Sequence, residues 1–244
     1  MAEHSFPNLG RKLLQSDLLI FFDFEATAFS HKAIALGAVG FVKEVGSLLP
    51  GREVFRFKKL IQTKDTIGNV VEKMTGIDKE LLEKEGLPFS DVLKEFIDLG
   101  RKSAGKAYLS YSDMDLRILK NTVGKAGFEK DFYNHVRKSY VDLHAYLSRF
   151  LTDKRGQSLS LEHLATRLSL PFDGTSHDPL SDSLTLAAIY THIVEDESRF
   201  IQDILQGWKD NRGLSEIEHA LTSLLVEKGK LERPDLEKVL KEAL

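Results

Sequence analysis

Two carboxylates two residues apart end an apolar run: Leu18-Leu19-Ile20-Phe21-Phe22 leads into Asp23, Phe24 and Glu25. On a strand this spacing points both acidic side chains to one side. Carboxylates tolerate apolar surroundings only when paired, hydrogen-bonded or bound to a metal, so the chain must supply partners. Asp115 follows the strand-like "KAYLSY" and opens the helix-like "DLRIL". Asp182 lies in "SHDPLSDSLTLAA", where Asp178 reads as a helix N-cap and Pro179 as the first helical residue. Asp182 then falls one turn into that helix, and His177, just before the cap, can face the same cavity.

Carboxylates gathered this way repel one another unless a cation sits among them. Oxygen ligands without cysteine suit Mg2+ or Mn2+. Four such acids suit two cations roughly 3.5–4 Å apart, which clamp the attacking and leaving oxygens of phosphodiester cleavage. His177 is placed to take the proton of the attacking water. Each residue also has an ordinary reading when taken alone. Asp115 is a helix-start acid favoured by the dipole, and Asp113 is its rival for the same role. Asp142, after "KSYV", reads as structural. His144 and His163 read as packing or surface residues. Thr27 and Phe29 could contact a base or sugar. Arg52, Arg56, Lys58, Lys59 and Lys64 read as a solvated strand face, with phosphate contact as the alternative.

The positioning elements follow from periodicity. Short apolar runs predict strands at 18–24, 33–42 and 53–62, the first two as antiparallel neighbours. Strands and helices then alternate: a helix in "FSDVLKEFIDLG", a strand at 106–111, a helix in "DLRILKNTV", and strand then helix in "KSYVDLHAYLSRFL". Further helices are predicted in "SLEHLATRLSL" and "DSLTLAAIYTHIV". The pattern predicts an α/β fold, a mixed sheet flanked by helices. Residues 195–244 show only helical periodicity, with Gly229 as a stop, so the chain divides into residues 1–194 and a helical extension, 195–244.

Hydrophobic content of 42% and charged content of 29% permit a sizeable core. Without cysteine there is no disulfide or thiolate site. No apolar stretch approaches a membrane span, and no secretory h-region opens the chain. The expectation is a soluble cytoplasmic protein. The extension carries 12 acidic and 8 basic residues against a net charge of -3 for the whole chain. Residues 1–194 are therefore slightly basic, and a basic groove belongs there.

"DFEAT", "YSDMDLRIL" and "HDPLSD" resemble the three motifs of the DEDDh exonuclease superfamily. That group has an RNase H-like fold and includes DNA polymerase proofreading subunits and RNase T. Its pattern falls on Asp23 and Glu25, on Asp115 with Leu119, and on His177 and Asp182. "MTGID" at 74–78 resembles the family's TGI element, and "IALGAV" its second strand. The resemblance runs from about residue 18 to 194. It departs from the family at Ala28, at "SYSDM" and at Ala35, positions nearer the substrate groove than the ligands.

The resemblance implies a metal-dependent 3'-5' exonuclease acting on single-stranded DNA or RNA ends and releasing nucleoside 5'-monophosphates. Asp23, Glu25, Asp115 and Asp182 would be metal ligands and His177 the base. Thr27, Phe29 and Met74 would be substrate contacts. The alternative is a non-catalytic module of the same fold that binds nucleic acid or a polymerase; a binding module has no need of all five groups. An HD-type phosphohydrolase, suggested by His177-Asp178, lacks the clustered histidines it needs. The acidic helical extension could pack on the catalytic domain, make a dimer contact or bind another protein through its apolar stripe.

Overall fold

In the computed structural model, which describes residues 6–171, 177–196, 199–200, 202–204, 206, 216–232, 234–235 and 238–239, the opening apolar run is the middle strand of a five-stranded sheet. β1 (Leu18–Ala26) pairs antiparallel with β2 (Ala33–Val42), and β2 antiparallel with β3 (Glu53–Leu60). On its other side β1 runs parallel to β4 (Lys106–Ser110), and β4 parallel to β5 (Tyr140–Asp142). The order is β3-β2-β1-β4-β5. The antiparallel pairs have short links. The parallel ones need crossovers, supplied by α2 (Asn69–Thr75), α3 (Lys79–Glu85), α4 (Phe89–Leu99), α5 (Met114–Thr122) and α6 (Phe128–Ser139). Further helices among the described residues are α1 (Phe6–Gln15), α7 (Leu143–Leu147), α8 (Leu161–Arg167), α9 (Pro179–Glu195) and α10 (Glu216–Lys228).

Alternation along β1 explains why its sequence is apolar throughout. Leu18, Ile20, Phe22 and Phe24 join a core with α4, α5 and α6 through Val92, Phe96, Leu119 and Phe132. Leu19 and Phe21 join a second core on the opposite face with Leu147, Leu164, Leu186 and Ile189 of α7, α8 and α9. A strand covered on both faces needs no polar alternation. Continuing the period of two puts Asp23 and Glu25 on the α9 face, where that core ends.

The strands lie where periodicity predicts them. α1, α2, α3 and α6 were not anticipated. α6 carries its buried residues at Phe132, Tyr133 and Val136, a short helical stripe inside a strongly charged segment. α2 buries none of its residues, so no apolar face announces it. β5 is only three residues long. In the extension, Phe200 is buried in the α9-side core, and His192 Nε2 lies 2.7 Å from Asp203 Oδ2. Gly229, at φ 71, ends α10 and donates its N–H to Leu225. No described helix is long and apolar enough to cross a membrane.

Candidate active site

The ends of three elements meet at the C-terminal edge of β1. Asp23 and Glu25 come from β1 itself. Asp115 comes from the first turn of α5, just beyond the end of the parallel neighbour β4. Asp182 comes from the first turn of α9, and His177 from the residue before its cap. Asp178 caps α9 as predicted, its Oδ1 accepting the N–H groups of Leu180 and Ser181 at 3.0 and 3.1 Å, with Pro179 at the helix start. One ligand atom each from Glu25, His177 and Asp182 lies within 4.8 Å of the others. His177 Nδ1 is 3.9 Å from Glu25 Oε1.

Asp115 is buried, and its Oδ1 accepts the main-chain N–H of Phe24 at 2.8 Å. Asp113, the rival, is exposed and paired with Arg117 at 2.6 Å. Behind Asp115 stands a hydroxyl pair: Ser110 Oγ and the Tyr140 phenol are 2.6 Å apart, and both reach the Ser112 carbonyl. Sequence reasoning missed this pair.

Electrostatics report the crowding. The Glu25 carboxyl is pushed from 4.5 up to about 8, first by burial and then by repulsion from Asp182, Asp115 and Asp178. Asp23 is raised well above the carboxylate range by burial, then by Asp115, Glu25, Asp182 and Asp178. Burial also raises Asp115, against the lowering effect of hydrogen bonds from Phe24 N–H and the Ser110 hydroxyl. Each acid opposes ionisation of its neighbours, a conflict that divalent cations among the oxygens remove. Four carboxylates with one imidazole are a fitting donor set for hard divalent ions.

The seat of α9 is built by a row across the sheet. Asp23 pairs with Gly37 of β2, and Gly37 with Lys58 of β3. Directly opposite residues share a face. The missing side chain at Gly37 admits the helix start: a Cβ there would lie 2.0 Å from the Pro179 carbonyl carbon. Ser183 Oγ donates to the carbonyls of Pro179 and Gly37, at 2.7 and 3.1 Å. Lys58 forms an ion pair with Asp178. A glycine inside an apolar strand is the sequence signal for such a close approach.

The remaining predicted residues take different places. Phe29 is 81% exposed and Met74 48% exposed, and Val70, one turn before Met74, is 67% exposed. The Ala28 N–H bonds to Ile67 O at 2.8 Å, joining the Phe29 loop to the segment leading into α2. Thr27 is buried, its hydroxyl 2.7 Å from Ser30 Oγ and accepting the Lys32 N–H, so it closes the loop. Arg56 pairs with Glu53 and Lys59 with Glu95. Asp142 caps α7 through Ala145 N–H. His144 stacks edge-on with Tyr111, and His163 bonds the Ser160 cap. A cleft of about 450 Å³ beside His177 is lined by Lys58, Lys59, Gly76, Ile77 and Pro179.

Solved structures share this architecture at low identity. The nuclease domain of 3'hExo, a DEDDh family member, bound to rAMP, matches with TM-score 0.58 at 19% identity, over 74% of this chain and 93% of that one. Cell-death related nuclease 4 matches with TM-score 0.55 at 20% identity, over 74% of this chain and 64% of that one. E. coli exonuclease I in complex with a dA16 oligonucleotide matches with TM-score 0.56 at 14% identity, over 79% of this chain and 44% of that one. The chain thus spans less than two thirds of the length of the latter two. No curated protein matches by sequence. Residues 20–190 match the RNase T exonuclease family. The chain belongs to that exonuclease family.

Proposed function

We propose that this protein is a 3'-5' exonuclease that hydrolyses the terminal phosphodiester of single-stranded DNA or RNA and releases nucleoside 5'-monophosphates. One observation carries the reading: Asp23, Glu25, Asp115 and Asp182 converge with His177 at one sheet edge. The four acids would hold two divalent cations, Mg2+ or Mn2+. When bound, these cations supply charge neutralisation and activation of water for phosphoryl transfer. His177 sits half-exposed against Glu25, where it takes the proton of the attacking water. Asp115, tied to Phe24 N–H, holds its carboxylate fixed relative to Asp23 and Glu25.

Polarity and product rest on the family resemblance. Single-strand preference is supported by Phe29, Val70 and Met74, exposed apolar side chains on the loop that follows β1 and on α2. Unstacked bases find stacking and apolar contact on such surfaces, whereas paired bases are withheld from them. Residues 195–244 are read as an extension to this catalytic domain, in keeping with a family match that ends at residue 190.

The test uses 5'-labelled DNA and RNA strands of matched sequence, incubated with Mg2+, Mn2+ or EDTA. A metal-dependent ladder shortening from the 3' end is expected, and the faster ladder names the preferred sugar. Binding without cleavage in either metal would overturn the reading.

A further inference from the structure

His177 stands in the left-handed region at φ 66, a conformation disfavoured for a residue with a Cβ. On its downstream side it leads directly into the Asp178 cap of α9. That side is fixed at three points. The helix start lies on the side-chain-free Gly37. Ser183 ties the first turn to the Gly37 carbonyl. Asp178 receives Lys58 from the neighbouring strand. Because Lys58 and Asp23 flank Gly37 in one cross-sheet row, the helix start lies between a cation on one side and the candidate ligands on the other.

We propose that Lys58 is a positioning residue: its ion pair with Asp178 clamps the first turn of α9 onto Gly37 and thereby holds His177 and Asp182 against Glu25. Asp178 has the signature of a clamped anion. Burial raises its pKa, but Lys58 and the N–H groups of Ser181 and Leu180 outweigh that and leave it below the usual range. The side chains of Lys58 and Asp178 are 45% and 25% exposed. Ion pairs this open to water contribute little to global stability. The contribution of this pair is therefore geometric, and it acts on the residues that α9 delivers. Lys58 differs in this from its strand neighbours Arg56 and Lys59, whose partners Glu53 and Glu95 carry no candidate site residue.

The kinetic part of this inference rests on the hydrolytic reading above; the structural part does not. The experiment compares Lys58→Met, Lys58→Arg, Asp178→Asn and the Lys58→Met/Asp178→Asn double variant. Asn still caps a helix but cannot form the ion pair. Amide hydrogen exchange in the first turn of α9 is read without metal. kcat and KM are read on a short single-stranded oligonucleotide with Mg2+. The expected result is faster exchange at Leu180 and Ser181 in Lys58→Met, with kcat down about tenfold and KM little changed. Lys58→Arg restores both, Asp178→Asn reproduces the loss, and the double variant is no worse than either single one.

A raised KM with intact kcat would overturn the clamp and make Lys58 a phosphate contact. Unchanged exchange and kinetics would overturn it in favour of a solvated pair. If the wild-type protein cleaves nothing, the hydrolytic reading fails, and the exchange comparison still decides the clamp.

Discussion

Asp115 Oδ1 accepts the N–H of Phe24 at 2.8 Å, so the acid that opens α5 is bonded to the peptide between the two acids of β1, 91 residues away in sequence. The bond ties Asp115 to β1, whereas the Asp113 carboxylate faces outward on Arg117. In Asp115→Asn the amide oxygen keeps the bond to Phe24 while the charge is lost. Cleavage is expected to fall to background, and the metal-free protein to melt higher at pH 7.5, because a repelling charge has gone. Asp113→Asn should keep its cleavage rate and shift stability by less than about 1 kcal/mol, as for an exposed pair. Parallel cleavage and melting assays check both variants.

Gly37 is a packing requirement of the site. An added Cβ would meet Pro179 and Leu180 backbone atoms at 2.0 to 2.2 Å, and backbone cannot rotate away. Gly37→Ala must lift the start of α9 and carry Asp182 and His177 with it. Overpacking of this kind destabilises by about 1–3 kcal/mol. A displacement near 1 Å can lower turnover by about a hundredfold. Denaturant unfolding and kcat measurements check the two effects, and a variant with wild-type turnover would argue against the seat.

Metal-free stability should depend on pH in a defined direction. Glu25 is raised from 4.5 to about 8, so the folded state holds a proton that the unfolded state releases. Its contribution is intact below about pH 4.5 and declines as pH rises to about 8. In EDTA the melting temperature should fall across that window, and Glu25→Gln should flatten the fall. Divalent cations bind the deprotonated acids, so the stabilisation by Mn2+ should grow over the same window. Thermal melts at stepped pH, with and without Mn2+, read both trends.

Phe29 protrudes almost fully into solvent from the loop that follows β1. Phe29→Ala should leave the melting temperature unchanged and weaken single-strand binding by about 1–3 kcal/mol, the worth of one base stacked on an aromatic ring. Equilibrium binding to an oligonucleotide in EDTA checks this without cleavage.

Much of the candidate site was legible because its signals are local. Two acids at strand spacing in Asp23 and Glu25, the Asp178-Pro179 helix start, and the leucine spacing of α8 all depend on neighbours in sequence. What escaped depends on pairing. The row from Asp23 through Gly37 to Lys58 exists only once the register of three strands is set. The hydroxyls of Ser110 and Tyr140, 30 residues apart, meet only because β4 and β5 run parallel. Lys58 reads in sequence as one of several cations on a wet strand, and its partner Asp178 lies 120 residues away. α6 escaped for a different reason: its short apolar stripe is outnumbered by charged and polar residues.

The proposed function requires the acids at the end of β1 to hold the catalytic cations. Its most direct test is single-turnover cleavage of a 5'-labelled single strand with Mn2+ by the wild-type protein and by Asp23→Asn, side by side. A ladder shortening from the 3' end is expected for the wild type, and only the EDTA background for a folded Asp23→Asn. Cleavage by Asp23→Asn at the wild-type rate would contradict it.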